Sequence, residues 1–437
     1  MLRWTGRLGS GFVTPSGLPT REGEAPVRSH LSARPRARTL LAAAVAAVVV
    51  PFTTVPTASA EEPRPAFYEA PATLPSTNGA VIRTEKLSFL LDPADLAATQ
   101  YDAHRVLYRS TNRTGKAIAV SGSVIVPKAK WRGPGSRPVL GYAPGTQGVG
   151  DSCAPSRVFS ELFEYESIFM AGLLKRGYAI AMTDYEGLGT AGMHTYMDRL
   201  SQGRALIDGV RAAQRMPSTG LSPASPVGFV GYSQGGAGAA SAAELAGSYG
   251  KELKVKGTAA GATPADLRAL PGAIDGSLYA LFGWFAIAGL TASYDIDMTP
   301  QLNAKGLQMY EQIKDDCVFD LFGAAFTKSG DYTADGADLA ELITREPFRS
   351  MIADQRIGTI RPNAPVLVSH SLLDDVVPHR VGKQLAKDWC AKGASVRFST
   401  NATPLHVGGM LNHAAEMYAF FEARFGGVPA VSSCWRL

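Results

Sequence analysis

The chain of 437 residues is poor in the features that mark several large protein classes. It has only four cysteines, at positions 153, 317, 390 and 434, and no pair has CxxC or metal-ligand spacing. Zinc and thioredoxin-type chemistry are thereby disfavoured. The apolar run Leu40 to Phe52 has thirteen residues and meets Pro51 near its end, short of the roughly 20 that a membrane-crossing helix needs. The formal charge of +5 comes largely from the first sixty residues, which hold seven Arg and two Glu. Without them, 36 basic and 36 acidic side chains remain, so there is no basic footprint for nucleic acid. Internal repeats and low-complexity tracts are missing after residue 60.

The first sixty residues read as an export signal. Arg34, Arg36 and Arg38 precede the apolar run, and Ala58-Ser59-Ala60 offers a small-residue cleavage site before Glu61. Cleavage there leaves residues 61–437 as the working chain, exported and without a stable membrane anchor. An even number of cysteines in an exported protein suggests two disulfides, with three pairings open.

Two β-type runs, Ala103 to Ser110 and Ala117 to Val126, flank a turn at Gly115 and read as a hairpin. Beyond them, short apolar runs alternate with helical stretches. The strand candidates are Pro138–Tyr142, Tyr178–Thr183, Val227–Gly231, Val255–Ala260, Pro365–His370 and Val396–Ser399. The helix candidates are Glu161–Arg176, Met197–Met216, Gly236–Tyr249, Arg380–Lys392 and Gly408–Phe425. Such alternation predicts an α/β fold with a mostly parallel, doubly wound sheet. Between Ala260 and Pro365 about a hundred residues show no strand, too long for a plain loop. An apolar helix over Leu278–Ala292 and amphipathic stretches at Leu302–Lys314 and Leu339–Glu346 predict an inserted helical cap, about residues 264–360.

Gly231-Tyr232-Ser233-Gln234-Gly235 closes a strand and opens a small-residue helix, the context in which GxSxG presents a nucleophilic serine on a sharp turn. A serine hydroxyl needs a base, and in α/β hydrolases the chain order is Ser, then Asp or Glu, then His. Of seven histidines, His370, His379, His406 and His413 lie late enough. His406 is expected in the loop between the last strand and the last helix; His413 is its rival. The strand ending at His370 leads to Asp374 and Asp375, one to orient the imidazole and the other to cap or be solvated. Backbone amides for an oxyanion are expected from Gln234 and from the loop Ala143-Pro-Gly145-Thr146-Gln147-Gly148, at Gly145 or Thr146. The segment Asp184 to Gly189 reads as structural turn chemistry.

These residues together resemble the secretory lipases of the Candida antarctica lipase A type, especially their actinobacterial members. The resemblance rests on Ala103 to Ser110, Gly145-Thr-Gln-Gly148, Cys153-Ala-Pro-Ser156, Gly231 to Gly235, Asp374-Asp-Val-Val-Pro378 and His406. It implies the α/β-hydrolase fold, selects Asp374 over Asp375, and pairs Cys153 with Cys317 and Cys390 with Cys434. One departure stands out: the fungal proteins carry an aspartate where this chain has Gly145, so only backbone donation carries over.

The expected activity is an extracellular carboxylic-ester hydrolase acting on lipid or other ester substrates through Ser233, His406 and Asp374, without metal or organic cofactor. Tyr232, Leu278, Phe282 and Phe285 are the expected acyl-binding side chains. An acyltransferase using the same acyl-enzyme, or a non-catalytic binding domain on the same fold, are the rival readings. Product analysis with an acceptor alcohol separates the first; a missing triad residue would mark the second.

Overall fold

A computed structural model of the chain describes residues 64–88, 100–161 and 164–437. The expected export signal, residues 1–60, lies outside them. Nine strands form one sheet in the order β1-β2-β3-β5-β4-β6-β7-β8-β9. The strands are β1 (Val81–Lys86), β2 (Tyr101–Thr111), β3 (Ala117–Pro127), β4 (Val139–Ala143), β5 (Ala179–Thr183), β6 (Pro226–Tyr232), β7 (Lys254–Gly261), β8 (Val366–Ser371) and β9 (Val396–Asn401). β1 to β3 pair antiparallel and join β5 antiparallel; from β5 to β9 every neighbouring pair is parallel. β1 was not anticipated: its sequence VIRTEK carries three charges on a half-exposed edge, so it lacks an apolar run.

Helices cover both faces. α1 (Pro155–Glu161) was not anticipated; α2 (Ser167–Lys175), which follows it, forms within the helix expected over 161–176. α3 (Arg199–Arg215) and α4 (Gln234–Leu245) follow β5 and β6. The alternation of side chains along the central strands sorts the core. Val139, Ala179, Val227 and Phe229 face Leu206, Val210 and Leu245 of α3 and α4. Leu140, Ile180, Val230 and Leu367 face Leu173 of α2 and Met417 and Phe421 of the last helix. Central strands buried on both faces are what a helix-sheathed parallel sheet requires.

Between β7 and β8, where a cap over about residues 264–360 is expected, the chain has helices and no strand. These helices are α5 (Pro271–Ile274), α6 (Ala280–Tyr294), α7 (Ala304–Gln312), α8 (Leu339–Leu342) and α9 (Phe348–Asp354). α6 begins and ends two residues later than the apolar pattern suggested. Trp284 and Phe285 on it are buried in a core continuous with Val366 and Val368 of β8, each worth roughly 1.5–3 kcal/mol of burial. α10 (His379–Ala391) and α11 (His406–Phe425) complete the fold.

Cys153 is bonded to Cys317 and Cys390 to Cys434. The first bond joins the segment after β4 to the cap, where Gly148 also bridges Cys317 and the Val318 amide donates to Gln147 O at 2.7 Å.

Candidate active site

β6 ends at Tyr232 and α4 begins at Gln234, so Ser233 alone makes the turn, with φ 59° and ψ −122°. A positive φ on a residue with a side chain costs of order 1–3 kcal/mol. The surrounding structure enforces it: the Ser233 amide donates to Gly261 O at 3.0 Å, and α4 starts at the next residue. The flanking glycines are required by crowding, since a Cβ at Gly235 would meet the carbonyl of Ala143 and one at Gly231 that of Gly235.

Asp374, in the turn after β8, is fully buried and accepts hydrogen bonds from the amides of Val376 (3.0 Å) and Val377 (2.8 Å). Nδ1 of His406 lies 2.8 Å and 3.0 Å from its two oxygens. With Nδ1 donating to the carboxylate, Nε2 is left as the basic nitrogen. That atom is buried and has no hydrogen-bond partner among the described residues, the Ser233 hydroxyl included. Such pairs commonly tighten only when substrate binds. Burial opposes charge on Asp374, but hydrogen bonds from His370 and His406 and the nearby imidazole hold its carboxyl well below the usual carboxylate range.

His406 is not in the loop before the last helix, as expected, but is the first residue of α11. Leu405 precedes it at φ 64° and has no side-chain oxygen to cap the helix. Asp375 supplies that oxygen, accepting the His406 amide at 2.7 Å, so the adjacent carboxylates divide the work of fixing ring and backbone. The Tyr232 hydroxyl donates to His406 O at 2.7 Å, and the two rings lie 5.1 Å apart. Residue 406 is thus held against the neighbour of Ser233.

The other candidate histidines go elsewhere. His413 is buried on α11 with Nδ1 2.7 Å from Ser369 Oγ, and burial lowers it to about 4. His379 opens α10 and reaches Thr400 Oγ1 at 3.1 Å. His370 supports the site from below: Nε2 donates to Val377 O at 2.8 Å and lies 3.4 Å from Asp374.

Of the amides expected to hold an oxyanion, those of Gln234 and Thr146 donate to no group among the described residues. The Gly145 amide, expected as an alternative donor, is already taken, because it donates to Glu166 Oε1. Gly145 itself is required by close approach. A Cβ there would lie 2.8 Å from both that carboxyl oxygen and the Tyr165 hydroxyl. The Thr146 hydroxyl shares a 2.7 Å hydrogen bond with Tyr196. The side chain of Gln234 is held by His194, whose Nδ1 donates to Glu186 O (2.8 Å) while Nε2 accepts from Gln234 Nε2 (3.0 Å). Burial lowers His194 to about 4, which keeps it a neutral acceptor. His194, Tyr196 and Glu166 were missed. His194 lies too early in the chain for a triad base, and the glutamates sit in what reads as an ordinary amphipathic helix.

Ser233 and Gln234 border an apolar cavity that runs into the cap. α6 contributes Phe282, Gly283, Ala286, Ile287, Leu290 and Thr291, a helical stripe at spacings of three and four. Of the expected acyl-binding residues only Phe282 lines it. Phe285 falls off the stripe and is buried against Tyr196; Leu278 precedes the helix; Tyr232 packs against His406 and His413. The segment after β5 is structural: Asp184 accepts from the Ser156 amide at 2.9 Å, and the Tyr185 hydroxyl donates to Pro144 O at 2.7 Å.

A family model described as secretory lipase matches residues 154–433. The chain belongs to the secretory lipase family. Among relatives, a Mycobacterium tuberculosis protein described as a probable inactive lipase is 29% identical over 380 residues, covering 83% of this chain and 82% of that one. A secreted triacylglycerol lipase of Malassezia globosa is 28% identical over 390 residues, covering 84% and 80%. Candida antarctica lipase A in its closed state superimposes with a TM-score of 0.73 at 24% identity, covering 85% of this chain and 87% of that one. This member of the secretory lipase family has the α/β-hydrolase fold. Among its described residues no helix is long and apolar enough to cross a membrane, and no cluster of His, Cys, Asp or Glu has the makings of a metal site.

Proposed function

We propose that the chain is an exported serine hydrolase that cleaves carboxylic esters of lipids through an acyl-enzyme on Ser233. His406 Nε2 takes the hydroxyl proton as Oγ attacks the acyl carbon, and the amides of Gln234 and Thr146 hold the oxyanion. Nε2 then gives that proton to the departing alcohol. In the second half water loses its proton to Nε2, attacks the acyl carbon, and releases the carboxylic acid as the proton returns to Oγ. Asp374 keeps Nδ1 protonated throughout.

The observation that carries this reading is the Asp374–His406 contact, which leaves a buried, unpartnered Nε2 on the residue packed against Tyr232, next to the strained Ser233. The apolar cavity at Ser233 supports a fatty acyl substrate. The leader pattern and the two disulfides support export. Because one relative bears a name meaning inactive, the decisive measurement is turnover itself. The mature protein is assayed on nitrophenyl esters from acetate to palmitate and on emulsified triglyceride, beside Ser233→Ala. Hydrolysis that disappears in the variant, with an unchanged melting temperature, is the expected result; undiminished turnover in the variant refutes the nucleophile.

A further inference from the structure

Beneath the oxyanion loop lies a pair of carboxyls that the reaction above does not use. Glu164 and Glu166 flank Tyr165 at the amino end of α2, and both are buried, 2% and 1% exposed. Glu166 Oε1 accepts the amide of Gly145, the residue immediately before Thr146. Glu164 Oε1 is reached by Gln147 Nε2 of the same loop, at 3.4 Å, the backbone amides of Glu166 and Ser167 also favour its charged form, and its Oε2 has no hydrogen-bond partner among the described residues. Tyr165, between them, donates its hydroxyl to Thr146 O at 3.0 Å. Three consecutive side chains of one segment thus grip three consecutive residues of the loop. Neither glutamate has an ion-pair partner among the described residues, although two unpaired carboxylates in a buried site would each need one.

We propose that Glu166, backed by Glu164, is the positioning residue of the oxyanion hole, and that the pair holds the loop in working geometry only while one of the two carboxyls stays protonated. The inference rests on the ester-hydrolase reading of the site. With one negative charge, Glu166 accepts from Gly145 and turns the Thr146 amide toward the oxyanion, and Glu164 stays neutral. When the last proton leaves to solvent, two like charges share a buried site beside a reaction that creates a third. The loop and the transition state then both lose stability.

The titrations agree. Burial pushes Glu164 up to about 8, helped by the charge of Glu166, and burial pushes Glu166 up to about 7. The other titratable groups facing the pair do not change charge in that range. Burial raises Tyr142 on β4, Tyr165 beside the pair, Tyr185 after β5 and Tyr232 on β6 well above the ordinary tyrosine value, and pushes Tyr196 up to about 12. His413 of α11, which borders the same small internal cavity as Glu166, is held neutral by burial.

The test is the pH profile of kcat/KM on nitrophenyl butyrate for the mature protein, Glu164→Gln and Glu166→Gln, with infrared difference spectra of the protonated-carboxyl band. Wild-type kcat/KM should fall about tenfold per unit above the ionisation of the pair, whereas in Glu164→Gln, which never carries two charges, the decline disappears. Glu166→Gln keeps an acceptor for Gly145 but a weaker one, so kcat should drop about tenfold with KM little changed, as expected for a misplaced oxyanion donor. A protonated-carboxyl signal at pH 7 that vanishes in the double glutamine variant is the matching spectroscopic result. An alkaline limb unmoved in Glu164→Gln, or a spectrum at pH 7 identical in the double variant, overturns the proposal. Absence of ester turnover in the wild type at every pH refutes the hydrolase reading instead, and the infrared result then decides the protonation of the pair alone.

Discussion

Nδ1 of His406 sits astride the carboxylate of Asp374, 2.8 Å from one oxygen and 3.0 Å from the other, while the backbone amide of the same histidine is held by Asp375 at 2.7 Å. The two aspartates are therefore not interchangeable. Asp374→Asn keeps the shape but presents the wrong group to Nδ1, and kcat should fall about 10⁴-fold with folding intact. Asp375→Asn retains an oxygen for the helix amide and should cost far less. Steady-state kinetics on one soluble ester checks both, and equal losses would show that the ring contact is not what matters.

Four buried groups set opposing pH dependences. His194 and His413 are lowered to about 4 by burial from an ordinary 6.5, so the stability they contribute is complete above pH 6.5 and is lost as pH falls toward 4. Glu164 and Glu166 are raised by burial from an ordinary 4.5, to about 8 and about 7. Their contribution is complete below pH 4.5 and is lost as pH rises through those values. Between 4.5 and 6.5 the slopes of these four groups oppose each other, and above 6.5 only the glutamate slope remains, so Tm should decline toward pH 8. Differential scanning calorimetry across pH 4 to 9 measures this. The decline above 6.5 should be shallower in the Glu164→Gln, Glu166→Gln double variant.

The stripe of α6 that borders the cavity includes Ala286 between Phe282 and Leu290. Ala286→Trp narrows that cavity. Long-chain esters should lose activity by about tenfold or more, while acetate esters are hydrolysed nearly as before; discrimination of that size corresponds to the few methylenes excluded. Equal losses on acetate and palmitate would place the acyl chain elsewhere.

The Cys153–Cys317 bond spans 164 residues and ties the segment after the oxyanion loop to the cap. Cys153→Ser with Cys317→Ser should destabilise the protein by about 2–4 kcal/mol through the entropy returned to the unfolded chain. Denaturant unfolding measures the loss. If Val318 N and the Gly148 bridge alone hold the loop, residual activity per folded molecule should stay high.

Elements whose identity is local were legible in the sequence. Strand runs such as Val227–Gly231 and Pro365–His370 show because both their faces are buried, and Ser233 shows because a strand, a tight glycine-flanked turn and a small-residue helix must follow one another in the chain. β1 was hidden because an edge strand carries charge. Distinguishing Asp374 from Asp375 needed the resemblance to a family; the fold then showed what each oxygen touches.

The sequence by itself therefore determined the fold class, the nucleophile candidate and the short lists from which base and acid would come, since periodicity and turn chemistry act over a few residues. Only the tertiary structure decided which histidine meets a carboxylate, which loop amide is free once Glu166 has taken that of Gly145, and which face of α6 meets the cavity. Those are contacts between residues tens to hundreds of positions apart, fixed by how the sheet and cap pack. No local pattern encodes them.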